Sequence, residues 1–138
     1  MEIGDIGEAE IEAVVELWRR CGLTRPWNDP HADIALALRS GDAAVLVGRD
    51  GGAPVASVMV GHDGHRGWVY YLAVDPQARR GGRGRAMMDA AETWLQARGL
   101  PKLQLMVRQS NAEAVGFYEA LGFASQDVTV LGKWIDGR

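Results

Sequence analysis

The residues of this chain best suited to chemistry lie between Leu72 and Ala86. The stretch reads Leu72-Ala73-Val74-Asp75-Pro76-Gln77-Ala78-Arg79-Arg80-Gly81-Gly82-Arg83-Gly84-Arg85-Ala86. It has the form of a strand end, a tight basic loop and the first turn of a helix. Gly81, Gly82 and Gly84 let the backbone turn several N–H groups toward one point. Arg79, Arg80, Arg83 and Arg85 surround that point with positive charge. A helix start adds unpaired N–H groups and the positive end of its dipole. Together these parts suit a phosphate-bearing anion, above all a pyrophosphate. A dinucleotide fingerprint does not fit. Its third glycine would fall at Met87, and no acidic residue follows at the spacing that contacts a ribose. The Walker A pattern is absent as well.

Composition narrows the classes of partner. The chain has 138 residues, 47% hydrophobic and 24% charged, with a formal net charge of −3. That describes one ordinary domain spanning residues 1–138, without the global basic field that nucleic acid would call for. Positive charge is confined to the 79–85 loop, which suits a small polyanion better than a polymer. One cysteine, Cys21, excludes an internal disulfide, and three histidines without paired spacing make no metal site. No apolar run is long enough to span a bilayer, and Met1-Glu2-Ile3-Gly4-Asp5 is not a signal peptide. The expected location is cytoplasmic, with no membrane partner.

The elements that must position the loop follow from periodicity. Ile3 to Ile6 reads as a short first strand. Ile11, Val14, Val15, Leu17 and Trp18 form a helical stripe between Glu8 and Cys21, stopped at Gly22. A second helix is expected from His31 to Arg39, with Asp29 as N-cap and Pro30 in its first position. Before it, Trp27 sits in a proline-bounded loop, either as a lid over the core or as part of an acceptor wall. Ala44–Arg49 and Pro54–Gly61 read as strands joined by the turn Asp50-Gly51-Gly52. Asp63-Gly64 leads into Trp68–Val74, which is apolar on both faces and so expected to be covered on both. The helix Gly84–Arg98 should bury Met87, Met88, Ala91, Trp94 and Leu95. Lys102–Arg108 alternates like a strand. Ser110 or Asn111 then caps a helix to Leu121, stopped by Gly122. Val128–Trp134 reads as the last strand. The order is that of a mixed α/β sandwich.

Two signatures now point the same way. Arg79, Gly82 and Gly84, following Leu72-Ala73-Val74-Asp75-Pro76, resemble the Arg/Gln-x-x-Gly-x-Gly/Ala acetyl-CoA motif of the GNAT acetyltransferases. Asn111-Ala112-Glu113-Ala114-Val115-Gly116-Phe117-Tyr118-Glu119-Ala120-Leu121-Gly122-Phe123 is similar to that family's Asn-x-x-Ala-x-x-Phe-Tyr-x-x-x-Gly-Phe segment. With Arg25-Pro26-Trp27-Asn28-Asp29-Pro30, the chain resembles a little-characterised bacterial subgroup. The resemblance implies the acyl-CoA N-acyltransferase fold, a mixed sheet of six to seven strands flanked by about four helices. Arg83 departs from the family's usual apolar residue, so it must snorkel outward or pair with an acid.

The resemblance also implies roles. Backbone groups of Leu72, Ala73 and Val74 would pair with the pantetheine arm like an added strand, at a place where the strand splays through a bulge. The N–H near Leu72 would polarise the thioester carbonyl. N–H groups from Arg80 to Arg85, through Gly81, Gly82, Arg83 and Gly84, would hold the pyrophosphate, with Arg79 and Arg85 adding charge. Tyr118 would protonate the departing thiolate, because thiol and phenol pKa values are nearly matched. Asn111 is either a contact to the cofactor arm or an N-cap.

The general base stays open among a carboxylate, a histidine and a water chain. His62, Asp63 and His65 belong to a turn. Met106 stands where the ribosomal-protein N-terminal acetyltransferases of the family carry a glutamate. Tyr70 or Tyr71 would lead to a water, or else belong to the core. The expected activity is acetyl transfer from acetyl-CoA, without a metal, by direct attack of a primary amine. The acceptor is a small molecule, an amino acid or a protein lysine. The alternative is a non-catalytic acyl-CoA sensor, which would keep the loop and not need Tyr118. The resemblance also raises a homodimer, with Trp134 as a contributor.

Overall fold

The structure, a computed structural model, describes residues 1–138. The stripe of apolar residues produces α1 (Ile11–Arg20), entered through a single 3-10 turn at Glu8–Glu10. Val14, Val15, Leu17 and Trp18 are all fully buried. Gly22, at φ 69°, ends the helix, and Leu23 N–H donates to the Trp18 carbonyl. That is the left-handed stop expected of a glycine after the last apolar turn. Helix α2 (Pro30–Ser40) begins as its sequence dictates. Oδ1 of Asp29 accepts from the N–H groups of His31 and Ala32 at 3.0 and 3.2 Å.

Strands β1 (Glu2–Asp5), β2 (Ala43–Asp50), β3 (Ala53–His62), β4 (Gly67–Val74) and β5 (Leu103–Gln104) form one sheet in that order. The first four pair antiparallel and β5 pairs parallel to β4. A parallel neighbour requires a crossover, here carried by α3 (Arg83–Gln96). The two faces of the sheet are distinct. Val45 and Val47 pack with the buried residues of α1 and α2, together with Ala73. On the other face, Gly48 lies against Met87, and Gly67 against Leu95, both of α3. A fourth helix, α4 (Ala112–Ala120), follows β5 and is capped by Asn111, whose Oδ1 accepts from Ala114 N–H at 3.1 Å. The chain divides into two compact units, Met1–Met106 and Val107–Arg138.

Four expectations are corrected. The strand expected over Lys102–Arg108 is limited to Leu103–Gln104, because its ladder partners on β4 are only Gly67 and Trp68. Val128–Trp134 forms no strand. Val128 and Leu131 are 73% and 90% exposed, and an alternating segment becomes a strand only where a neighbour supplies the other half of a ladder. The sheet therefore has five strands rather than six or seven. Strand β4 is not covered on both sides along its length, since Tyr70 is exposed. Trp94 is half-buried and carries the Arg98 guanidinium 3.5 Å above its ring, an edge position rather than a core one.

Candidate active site

The site is built on the second half of β4. Ser57 pairs with Ala73 and Met59 with Tyr70, so Val58 alone stands opposite both Tyr71 and Leu72. Two residues facing one is a β-bulge, and it reverses the alternation of side chains beyond it. Before the bulge, Gly67 faces α3. After it, Tyr71 and Ala73 pack with the α1 core. Tyr71 takes φ 54°, a left-handed conformation that is costly for an aromatic residue and points to a site that over-determines it. Beyond Trp68 the ladder to β5 has ended. The segment from Val69 to Val74 therefore lacks a ladder on that side.

What fixes Tyr71 is a partly buried polar network. Its ring stacks on Trp18 with centroids 3.8 Å apart and planes 4° from parallel. Its hydroxyl donates to Oδ2 of Asp33 on α2 at 2.6 Å. Burial first, and the bond to Asp33 second, push its phenol pKa far above the ordinary value. Its carbonyl accepts from Oγ of Ser57 at 3.1 Å, and that same Oγ accepts from Trp18 Nε1 at 2.8 Å. Ser57 is the sole polar residue fully buried in this structure. Tyr70 projects outward and is 46% exposed, its phenol pKa raised by burial and then by the Asp63 carboxylate.

Strand β4 ends in an anchored loop. Asp75 N–H donates to the Val55 carbonyl at 2.8 Å, and the Asp75 carboxylate accepts from Gln77 N–H at 3.0 Å and from Arg20 Nη2 at 2.9 Å. A 3-10 turn, Pro76–Ala78, follows. The Val74 carbonyl is taken by Cys21 Sγ at 3.3 Å and Arg79 Nε at 3.2 Å. Arg80 then turns at φ 71° and Gly82 at φ 77°. Gly82 is the N-cap of α3, with no side chain capping it, and the first intrahelical bond runs from Ala86 N–H to the Gly82 carbonyl. The N–H groups of Arg83, Gly84 and Arg85 thus have no acceptor within the helix. A left-handed residue followed by a right-handed one converges successive N–H groups into an anion cradle. An open recess lies here, lined by Met1, Gly81, Gly82, Arg83 and Ala86.

Of the four loop arginines, Arg83 is committed elsewhere. Its Nη2 and Nε donate to Oδ2 of Asp50 at 2.6 and 3.0 Å, and its Nη1 to the Ala78 carbonyl at 3.0 Å. The guanidinium ties the start of α3 to the β2–β3 turn and holds the Asp50 carboxyl below its ordinary pKa. Three of its five side-chain N–H groups are thereby engaged within the protein. A β-carbon on Gly81 would lie 2.6 Å from that Nη1, whereas one on Gly82 would meet nothing within 4 Å. Gly81 is there for space and Gly82 for backbone conformation. Arg79, Arg80 and Arg85 are exposed.

The remaining candidates lie apart from this cluster in the chain. Trp27 is 48% exposed, in the loop before α2, where Asn28 N–H donates to the Arg25 carbonyl at 3.1 Å. His62 Nδ1 accepts from Gly64 N–H at 3.0 Å, and Asp63 Oδ1 accepts from the N–H groups of His65 and Arg66 at 2.9 and 2.8 Å. These residues serve their turn. In the second unit, Asn111 acts as an N-cap. Tyr118 is half-buried, with its ring edge-on to Phe117 and Phe123 at 5.1 and 5.7 Å between centroids. Burial raises its phenol pKa above the ordinary value, so it holds its proton through neutral pH.

Sequence reasoning missed Ser57, Trp18 and Asp33 as supports of β4, and Asp50 as the partner of Arg83. One signal was present: a lone serine in the otherwise apolar run Ala56-Ser57-Val58-Met59-Val60.

Comparison with known proteins agrees with this geometry. The model of the acetyltransferase (GNAT) family matches residues 11–123. An acetyltransferase of Yersinia enterocolitica is 46% identical over 133 residues, covering 96% of this chain and 94% of that protein. One from Pectobacterium atrosepticum is also 46% identical over the same length. Among solved structures, the aminoglycoside 6'-N-acetyltransferase AAC(6')-Ig of Acinetobacter haemolyticus superposes with a TM-score of 0.80 at 18% identity, over 99% of this chain and all of that one. AAC(6')-Iy, in complex with a CoA-containing bisubstrate analogue, superposes with a TM-score of 0.82 at 15% identity, over 96% and 97% of the two chains. With its bulged β4 and an amide-lined loop opening α3, the chain belongs to the GNAT family of acetyltransferases.

Proposed function

We propose that residues 1–138 act as one acetyl-CoA-dependent N-acetyltransferase domain that moves an acetyl group to a primary amine within a ternary complex. One observation carries the reading. The same strand leaves its β5 ladder, bulges at Tyr71–Leu72 and runs into the cradle of N–H groups at the start of α3. The family match spans both compact units, which supports treating them as one domain.

The residues fit the co-substrate in two places. The N–H groups of Gly82 to Arg85, with the exposed Arg79, Arg80 and Arg85, would hold its diphosphate. The unladdered edge of β4 from Leu72 to Val74 would take its amide-bearing arm as an added strand. The Val74 carbonyl, already accepting from Cys21 and Arg79, contributes less to that pairing than its N–H. When bound, acetyl-CoA supplies an activated acyl group. The chain supplies an N–H from Leu72 toward the carbonyl oxygen, where negative charge develops. It also supplies the Tyr118 phenol as proton donor to the leaving sulfur. Asn111 remains in the reading as a contact to the arm, although its Oδ1 is used as a cap. Cys21 lies outside both motifs and gives its S–H to a backbone carbonyl, so the reading assigns it no covalent role.

For the acceptor, the exposed Tyr70 and Trp27 are the side chains to test, and Tyr71 is ranked below them because its ring is packed on Trp18. A cytoplasmic location and a homodimer are kept as parts of the reading, and no helix is long and apolar enough to cross a membrane. The test is thiol release from acetyl-CoA across amino acids, polyamines, amino sugars and lysine peptides. The expected result is turnover with at least one amine class, reduced ten-fold or more by Tyr118→Phe while CoA affinity stays within two-fold. Tight CoA binding with no acceptor consumed, or turnover indifferent to Tyr118→Phe, favours the non-catalytic acyl-CoA sensor.

A further inference from the structure

We infer that Ser57 is a positioning residue for acyl transfer: by clamping the carbonyl of Tyr71 it aims the N–H of Leu72. The inference rests on the reading of Leu72 given above and deepens it. The two groups belong to one peptide unit. That unit is planar and trans, as are all peptide bonds in this chain, so its C=O and N–H point in opposite directions. The Tyr71 carbonyl is drawn toward β3 by the Ser57 hydroxyl at 3.1 Å. The Leu72 N–H must therefore point away from β3. On that side the ladder between β4 and β5 has already ended, at Trp68 and Gln104.

The clamp is itself held. Ser57 Oγ has one proton to give, and it goes to Tyr71. Trp18 Nε1 supplies the bond that the oxygen accepts, at 2.8 Å, which fixes the hydroxyl as donor to the carbonyl. Trp18 stacks on the Tyr71 ring, so three residues close a circuit around the bulge. Tyr71 stays left-handed only while this circuit outweighs its preference for other conformations. Without the serine hydroxyl, the peptide is free to rotate. A rotated peptide takes the Leu72 N–H off the open edge while leaving the loop at Gly82 untouched.

A merely structural serine is distinguished by comparing Ser57→Ala with Trp18→Phe. Both remove the Trp18–Ser57 bond, but only the first removes the clamp. Trp18→Phe also empties part of a fully buried site, so it should lower Tm at least as much. At a temperature where every variant is folded, Ser57→Ala is expected to lose ten-fold or more in kcat, with CoA Kd within two-fold. Trp18→Phe, which loosens the clamp but keeps the serine hydroxyl and a ring for Tyr71 to stack on, is expected to lose clearly less kcat than Ser57→Ala despite its equal or larger loss of Tm, and Ser57→Thr, which keeps the hydroxyl, to recover most of the loss. A readout independent of turnover is the backbone amide resonance of Leu72. In the unmodified protein it should differ between saturation with CoA and with acetyl-CoA, and in Ser57→Ala that difference should vanish. If the difference exists and survives Ser57→Ala, or kcat follows Tm across the set, Ser57 is structural and the inference is overturned. If the unmodified protein shows no difference at Leu72, the role of Leu72 fails first and the inference falls with it.

Discussion

Replacing Gly82 by alanine isolates the contribution of backbone conformation to ligand binding. Gly82 sits at φ 77°, and a β-carbon there would meet nothing within 4 Å. The substitution therefore adds no clash, and its whole cost is that of holding a β-carbon-bearing residue in the left-handed region, about 1–2 kcal/mol. Before a ligand arrives, the loop can escape that cost by leaving the left-handed conformation. The penalty is then met on binding, as the fraction of molecules still competent to bind falls. A cost of about 1–2 kcal/mol corresponds to a CoA affinity weaker by roughly 5- to 30-fold. Asparagine enters the left-handed region more readily, so Gly82→Asn should fall between glycine and alanine. Titration calorimetry with CoA measures the series, and thermal melting shows whether each variant is folded. Gly81→Ala provides a contrast, because its β-carbon would press on Arg83 Nη1. Its effect should shrink when Arg83 is also shortened to alanine, whereas that of Gly82→Ala should not. If Gly82→Ala binds CoA as tightly as the unmodified protein, the N–H groups fanned out at the start of α3 are not what grips the diphosphate.

Other expectations follow from neighbouring features. Glu10 accepts twice from Arg49 at 2.7 Å, and this bond, with the Gly7 N–H next, lowers its pKa to about 2. Its folded pKa lies below the unfolded value, so its stabilisation is complete above about pH 4.5 and is lost as pH falls toward 2. Both side chains remain partly wetted, which limits the effect to about 1 kcal/mol. Glu10→Gln should flatten acid unfolding across that interval, and an unchanged pH profile of Tm would remove the pair from the stability account. Gly67→Ala would press a β-carbon into the side chain of Leu95, itself 2% exposed. Overpacking of this kind costs about 1–3 kcal/mol, or roughly 3–12 °C in Tm, and a variant melting with the unmodified protein would show that α3 can shift. Asp50→Ala frees the Arg83 guanidinium, and should weaken CoA binding less than Gly82→Ala, because the cradle itself is main chain.

Local chemistry made much of this legible. The stripe Val14-Val15-Leu17-Trp18, the cap Asp29-Pro30 and the hairpin at Gly51 and Gly52, with φ 58° and 84°, are short-range features that a few adjacent residues determine. The loop from Arg79 to Arg85 belongs to the same kind, since glycine and a helix start suffice to announce it. What escaped were relations between segments distant in the chain. The bulge at Tyr71–Leu72, anticipated by the family resemblance alone, is a mismatch of register between β3 and β4, and no residue in β4 by itself encodes it. The Arg83–Asp50 pair and the Trp18–Ser57 bond likewise join positions far apart in sequence. Val128–Trp134 misled for the same reason, because alternation records a capacity to pair and not the presence of a partner.

The same distinction explains why the acyl donor is easier to read from this chain than the acceptor. On the proposed reading, the donor side rests on peptide N–H groups: those opening α3, and the one at Leu72 turned outward by a bonded carbonyl. Every residue carries such a group, so the information lies in where the backbone bends. It is visible in sequence only where a glycine permits the bend. The acceptor must be chosen by side chains, and the candidates here are of ordinary types in ordinary settings. Tyr70 is exposed on a strand, and Trp27 in a loop. Nothing in their identity distinguishes a substrate wall from a surface. A cationic amine has to lose a proton before it attacks, yet Met106 stands where a carboxylate would have announced the base. No single signature residue of the chain therefore announces selectivity or proton removal on the acceptor side. The amine panel is accordingly the measurement that adds most, because it samples a property that backbone geometry on the donor side leaves undetermined.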